Sequence, residues 1–509
     1  MNYLIRKKME KKHIFYVLMA VLLSFTKAQA QNTSNPTGSS GITASGGAPT
    51  PDIGSSLSLK DAVAIAIKNN LLVNQADIQA QTNKVSLNQA WGNLLPNISA
   101  TASQGIGFGR SSITSTYTYT TQQTAFGNYA LNGNLTLFSG LQLQNTIRQN
   151  SYAYDASKLD LQQQKDNISL TVLNAYLQIL SSQDLLNIAK EQAEIDARQV
   201  DRLDAQNKEG ALLLLSNLTD LRGQYAGDQA NISIAANNLE TAKINLFQIL
   251  NVPYKRDVEY DRNAFSLQIN DYTENPDSIY QTALKTQPTI QSADLKIKSW
   301  QKGLAAARGG YSPTLSFFTN VTTNYSNAAP DNQIATNTFQ DIKTGNIVTV
   351  GGASYDVVAP NQQVFIPQKA TFGDQFRNNR QTSIGLQLNI PILNYLRARN
   401  NVKQAKINLK NSEINSNSTR LLLQQAVEQA YQNMIGAYKQ YKSYIDQAAA
   451  YSESFRTTEI RFNEGVINSD VYVLAKNNMD RANISLSQSK YTYILRTKVL
   501  DYYQARLNW

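Results

Sequence analysis

Apolar positions are most regular in two long stretches, Gln142 to Gly210 and Arg397 to Gly465. In the second, Leu423, Val427, Ala430, Met434, Ala437, Tyr441, Tyr444, Ala448, Tyr451, Phe455 and Phe462 recur at steps of four and three, with one gap at Thr458. In the first, Ile168, Val172, Ala175, Ile179, Leu186, Ala189, Ala193, Val200 and Leu203 keep the same rhythm, with Ser182 and Asp196 also in the seam. This is heptad spacing, which calls for a facing helix. Neither stretch contains proline, and the only glycine inside either is Gly436. At the usual rise per residue each predicts one helix roughly 100 Å long, well beyond the helices of ordinary globular domains. The seam is rich in Ala and Tyr and poor in Leu, which suits a wall of helices in which each touches two neighbours. Asn207-Lys208-Glu209-Gly210 and Asn463-Glu464-Gly465 read as helix stops with glycine at or near C′. Residues 214–250 and 470–504 then return antiparallel at about half the length of their partners, and short helices at 72–92 and 289–309 stack on them to cover the rest.

Elsewhere the period changes to two. Ile98, Ala100 and Ala102 alternate with small polar residues, as do Leu131, Leu135 and Leu137. The pattern recurs in Leu315, Phe317 and Val321, and in Ile384, Leu386, Leu388, Ile390 and Ile392. These predict half-buried strands at 96–109, 127–138, 313–323 and 381–393. The polar face is small and uncharged, which suits a membrane barrel with lipid outside and water inside; a soluble sandwich is the other reading. Four strands cannot close such a barrel, and an open edge is not tolerated in lipid. A membrane reading therefore requires several copies, and three would give twelve strands. Residues 111–126 and 324–379 are expected to be exposed loops, the second carrying a small hairpin around Val348 to Val357.

The chain is internally duplicated. Ala175-Tyr176 and Glu209-Gly210 match Ala430-Tyr431 and Glu464-Gly465 at an offset of 255 residues. Ala66/Ala283, Ala76/Ala293, Asp77/Asp294 and Pro96/Pro313 match at an offset of 217, placing Pro288 opposite Leu71. The first repeat covers 57–253, with helices at 59–69, 72–92, 142–209 and 214–250. A linker occupies 254–276. The second repeat covers 277–509, with helices at 277–286, 289–309, 397–464 and 470–504. Ser58 reads as an N-cap ahead of Asp61.

Composition narrows the function. Arg6, Lys7, Lys8, Lys11 and Lys12 precede an apolar run from Ile14 to Phe25, and Ala28-Gln29-Ala30 is a small-x-small cleavage pattern. Residues 1–30 thus read as a signal peptide, with Met1 or Met9 as the start, and 31–56 as a flexible Asn/Thr/Ser/Gly/Pro leader. A retained anchor is the competing reading, but the apolar run is too short to span a bilayer. Removing the signal takes six basic residues and one acidic one, so the formal charge falls from +10 to +5, which gives no argument for nucleic acid. The only histidine, His13, leaves with it, and there is no cysteine. The exported chain therefore has no disulfide, no imidazole or thiolate metal site and no His or Cys nucleophile or base. The absence of cysteine also rules out a lipid anchor of that type. No paired carboxylates stand out, so no cofactor, metal or catalytic residue is assigned and the chain reads as not an enzyme.

The ordered, twice-repeated set resembles the TolC-like outer-membrane efflux proteins. It comprises LSLKDAVAIAIKNN, LLPNISA, the NLTLFSG and NIPILNY strand-to-helix junctions, the Ala-Tyr pair, the RFNEG turn and the DVYVLAKNNMDRAN return. The resemblance covers about residues 57–507. Its leader, its Asn/Gln-rich character and its long second loop are similar to Bacteroidetes-like variants. It implies a mainly α protein with membrane β, a homotrimer whose twelve-stranded outer-membrane barrel continues as a long α-helical periplasmic barrel. An equatorial belt would draw on 59–69, 251–275, 277–286 and the residues after 503; the chain stops at Trp509 without a long extension around it. The family does no chemistry. A periplasmic adaptor docks on the hairpin tips and links the channel to an inner-membrane transporter. This implies docking at Glu209, Gly210, Ala211 and Leu212 and at Glu464, Gly465, Val466 and Ile467. The first tip is unusually apolar, which suits either docking or a locally buried turn. An iris-like gate near the inner tip implies Arg461, Glu464, Asp470, Lys476 and Asp480 as gate candidates, with surface pairing as the other reading.

The function implied is a passive exit duct of a tripartite efflux or type I secretion system. A diffusion porin would need more strands per chain, and an adhesive trimeric coiled coil does not explain the return helices. A secreted hydrolase would need a carboxylate cluster that the sequence lacks. Drug, metal ion, peptide and protein cargoes all stay open.

Overall fold

The computed structural model describes residues 55–113, 118–208, 215–262, 274–329 and 332–506. The signal expected at 1–30, the leader expected at 31–56 as far as residue 54, and the first hairpin tip lie outside these residues; the leader's last residue, Ser56, is in β1. The elements run β1 (Ser56–Leu57), α1 (Leu59–Asn69), α2 (Leu71–Gly92), β2 (Asn97–Ile113), β3 (Thr118–Phe138), α3 (Gln142–Lys208), α4 (Leu215–Leu250) and β4 (Glu259–Tyr260). They continue α5 (Pro276–Thr286), α6 (Pro288–Gly309), β5 (Thr314–Ser326), β6 (Asn332–Val350), β7 (Ala353–Gln368), α7 (Phe372–Asn378), β8 (Gln381–Asn389), α8 (Arg397–Asn463) and α9 (Ser469–Tyr503).

The two halves match in element length. Helices α1 and α5 have 11 residues each, α2 and α6 have 22, and α3 and α8 have 67. The returns α4 and α9 have 36 and 35. Local chemistry sets the starts. Ser58 Oγ accepts from the Asp61 amide at 3.1 Å and Asn70 Oδ1 from Leu72 at 2.9 Å. Asn275 caps α5 in the same way, and Pro288 opens α6 at a position where its missing N–H costs nothing.

The heptad seam of α8 is buried at Val427, Ala430, Met434, Ala437, Tyr441, Ala448, Phe455 and Phe462, whereas Tyr451 is exposed. Midway along α3 the burial widens from a stripe to most of the circumference. There Ile168, Val172, Leu173, Tyr176, Leu177, Ile179 and Leu180 pack with Leu59, Ala62, Val63 and Ala66 of α1 and with Leu246, Phe247 and Leu250 of α4. The Tyr176 hydroxyl lies 2.9 Å from the Leu57 carbonyl and 3.0 Å from that of Asp261, tying the C-terminal end of the parallel β1–β4 pair to the helix. A second cluster sets Ile279 and Ala283 of α5 against α8 and α9. Among the described residues no helix is long and apolar enough to cross a membrane.

Strands β2, β3, β5 and β8 form one antiparallel sheet in that order, so β2 and β8 are its edges. Exposed Ile98, Leu131, Ile384, Leu386 and Leu388 give it an apolar face. Two expectations need correction. Residues 111–126 are not mainly a loop: β2 runs to Ile113 and β3 starts at Thr118, paired throughout. Thr and Tyr favour strand without any apolar alternation to announce it. The stretch at 324–379 is likewise mostly strand. β6 and β7 form a separate two-stranded sheet, far longer than the hairpin expected at Val348–Val357. Register shifts at Ala335/Phe339, Gln340/Ile342 and Lys343/Ile347 break its period-two signal. β8 also stops at Asn389 rather than 393.

The strand-to-helix junctions differ between halves. β3 reaches α3 through Ser139, Gly140 and Leu141 alone. Gly140 has φ +61°, and a Cβ there would come 2.4 Å from Ser312 Cβ and 2.7 Å from the Gly309 carbonyl. Only glycine fits such an approach. β8 reaches α8 through 390–396, where Ile392 and Tyr395 are 94% and 97% exposed.

Candidate functional site

The site assembles at the hairpin end of the helices. Helix α8 stops in a Schellman turn: Val466 N–H donates to Arg461 C=O at 2.9 Å and Gly465 N–H to Phe462 C=O at 3.0 Å. Gly465 takes φ +72°, which a side chain would resist. Arg461, Glu464, Gly465, Val466 and Asp470 are exposed and Ile467 is half-buried. Beneath the turn, Tyr472 is fully buried between Phe462 and Phe455, with ring centroids at 4.7 and 5.4 Å. Leu203, Leu218 and Leu221 complete that cluster from the other hairpin. The start of α9 is also tied to α4, because Ser469 Oγ donates to Asp220 at 2.7 Å.

One helical turn further, the gate candidates divide. Lys476 and Asp480 do not lie on the surface. Lys476 is wholly buried, with Nζ 2.8 Å from Asp480, 2.9 Å from Asp228 and 3.3 Å from Asp196. Asp196 comes from α3, Asp228 from α4 and the other two from α9, so four ionisable groups fasten one hairpin to the other. Gln224 reinforces this, donating to Asp228 and Asn477 at 3.3 Å each.

Fully ionised, the cluster would leave two uncompensated negative charges in a dry interior, which is costly. The proton affinities respond. Burial raises the Asp196 carboxyl to about 7; the Lys476 ammonium opposes that shift and the Asp228 carboxylate adds to it. Burial likewise raises Asp480, against the pull of Lys476. Burial alone would lower Lys476, but Asp480 and Asp196 outweigh it and the net shift is upward. Both oxygens of Asp196 are buried without a hydrogen-bond partner. The arrangement can hold a proton and lock two hairpins; it offers no nucleophile paired to a base.

Sequence reasoning missed Asp196 and Asp228 as partners of Lys476. The available signal was Asp196 itself, a charge at a heptad seam position where an apolar residue belongs. Of the expected docking residues, Glu464, Gly465, Val466 and Ile467 form the second tip, whereas Glu209, Gly210, Ala211 and Leu212 fall outside the described residues.

The model of the family described as Outer membrane efflux protein matches residues 63–252 and 279–500. The chain belongs to the outer membrane efflux protein family. Its place is accordingly the outer membrane, with a periplasmic-facing domain. The chain is 21% identical over 351 residues to the Outer membrane protein TolC of Salmonella enteritidis, covering 68% of this chain and 62% of that protein. Against the same-named protein of Escherichia coli (strain K12) it is 22% identical over 334 residues, 66% of this chain and 60% of that one. The chain thus spans somewhat under two thirds of the curated relatives it matches. The efflux-protein fold extends further: the Campylobacter jejuni CmeC outer membrane channel superposes with a TM-score of 0.65 at 16% identity, covering 88% of this chain and 86% of that one.

Proposed function

We propose that the chain is one subunit of a homotrimeric outer-membrane channel, the passive exit duct of a tripartite efflux or type I secretion system. The observation that carries this is the four-stranded sheet with two unpaired edges, β2 and β8, whose strands feed directly into the 67-residue helices α3 and α8. Open edges cannot face lipid, so β2 of one copy pairs with β8 of the next and three copies close twelve strands. The twelve long and half-length helices of the trimer then wall the periplasmic tunnel, each 57–253 and 277–509 repeat supplying half of one subunit's share. The long outer segment between β5 and β8 fits a Bacteroidetes-like variant.

The exposed tip at Glu464, Gly465 and Val466, with its counterpart at Glu209–Leu212, docks a periplasmic adaptor that couples the duct to an inner-membrane transporter. Arg461, Glu464 and Asp470 supply the exposed charge of an iris gate. Lys476 and Asp480 act from behind it, holding the two hairpins together. The test is the mass of the detergent-extracted protein by light scattering. A trimer is expected, and a stable monomer would overturn the reading.

A further inference from the structure

The outer end of the sheet is notched. β5 ends at Ser326, opposite Phe126, and β8 pairs no further out than Gln381, opposite Thr322. Beyond Gly105 and Phe126, β2 and β3 continue to Ile113 and from Thr118 paired only with each other, a ribbon overhanging by about 25 Å at the usual strand rise. The β6–β7 hairpin leaves the chain inside this notch, between β5 and β8. It returns through α7, where Gln375 exchanges two 2.9 Å hydrogen bonds with the Ser326 backbone and so blunts the edge of β5.

The hairpin is poorly suited to standing in water. Among the described residues no third strand pairs with it, and isolated two-stranded ribbons are marginal. Ile334, Phe339, Ile347, Val350, Phe365 and Ile366 are each between 47% and 64% exposed. Its ionisable charge is nearly cancelled: Lys343 pairs with Asp356, and Asp341 accepts from the Asn361 amide at 2.9 Å. It therefore lacks the basic residues that an anionic lipid headgroup would need. The overhanging ribbon is likewise apolar on its outer stretch, where Ile106 and Phe108 are 57% and 79% exposed. The ribbon's free β2 edge faces away from its own hairpin and toward the β8 side of whichever copy closes the sheet.

We infer that the β6–β7 hairpin of each copy docks on the overhanging β2 edge of the next copy, building a collar of hairpins and ribbons outside the membrane. The occupant is a second copy of this chain, because the hairpin joins β8 through the short α7 alone and β8 is the edge that another copy must cover. The inference rests on the trimer reading and extends it beyond the bilayer. Burying apolar side chains on both partners and covering the ribbon edge supplies what each lacks alone.

The sequence has no cysteine, so cross-linking is clean. Two differently tagged full-length chains are co-expressed, one carrying Phe108→Cys and the other Ile366→Cys, and outer membranes are treated with a bismaleimide spanning about 10 Å, longer than the usual gap between paired strands. A second pair, Ile98→Cys with Ile384→Cys, reports the β2–β8 seam. Mixed-tag dimers are expected from both pairs. Linking at the seam without linking at the collar overturns the collar and leaves the trimer standing. Linking at neither overturns the trimer reading and the collar with it. Replacing 333–367 by a short Gly-Ser linker is expected to lower the temperature at which the assembly dissociates in SDS; an unchanged temperature also overturns the collar.

Discussion

The buried charge cluster makes the hairpin end sensitive to pH, and Asp196→Asn isolates the effect. In the folded chain Asp196 binds its proton up to about pH 7, against 3.8 for the free side chain. Because the folded pKa is the higher one, the folded state holds a proton that the unfolded state has released between those values. Its stabilising contribution is therefore complete below pH 3.8 and is lost as pH rises through 7. At about 1.36 kcal/mol per pKa unit, the full excursion is on the order of 4 kcal/mol. Asparagine resembles the protonated acid and cannot ionise, so the variant escapes this loss. The upward shift of Asp480 pushes in the same direction and remains in the variant, whereas that of Lys476 acts only above 10.5 and adds no slope in this range. The assay is the apparent melting temperature of the detergent-solubilised protein from pH 5 to 8.5, at one scan rate because membrane assemblies unfold irreversibly. The difference in melting temperature, variant minus parent, is expected to rise with pH by a few degrees. Parallel curves, or a difference that shrinks with pH, would refute the protonated carboxyl at the centre of the cluster.

Three further outcomes are expected. Lys476→Met removes the only cation the three carboxylates share and should cost roughly 3–5 kcal/mol, more at pH 8 than at pH 5, read by the same melts. Gly465→Ala meets no atom within 4 Å but must hold φ +72°. It should therefore loosen the tip by about 1–2 kcal/mol, seen as faster hydrogen exchange confined to the turn, with Gly465→Asn milder. Tyr176→Phe removes the hydroxyl between Leu57 and Asp261 and should lower stability by about 1–2 kcal/mol through the lost buried hydrogen bond. An unchanged melt would show that hydroxyl to be dispensable.

The heptad stripe of α8 was legible because one facing helix suffices to bury it. The middle of α3 was not: Leu173, Tyr176, Leu177 and Leu180 lie off the stripe and are buried by α1 and α4, which arrive from distant parts of the chain. Lys476 and Asp480 looked like an ordinary surface pair at helical spacing. Their burial depends on Asp196 and Asp228, some 250–280 residues away, and no local pattern announces such a meeting. The outer strands were obscured for a different reason. Alternation marks a strand only where one face is buried, and the described residues of β6–β7 are mostly exposed. Register shifts in the hairpin further scramble what alternation remains.

The unequal junctions bear on how movement would pass along each subunit. Where β3 enters α3, the backbone of Gly140 is wedged against Gly309 and has no spare residues, so the strand and helix turn as one shaft. Where β8 enters α8, 390–396 supply slack with little packed around them. Torque applied at the far end of the helices would thus reach the sheet through α3 and be absorbed before it through α8. A rotating α8 would slip against a sheet that α3 holds still.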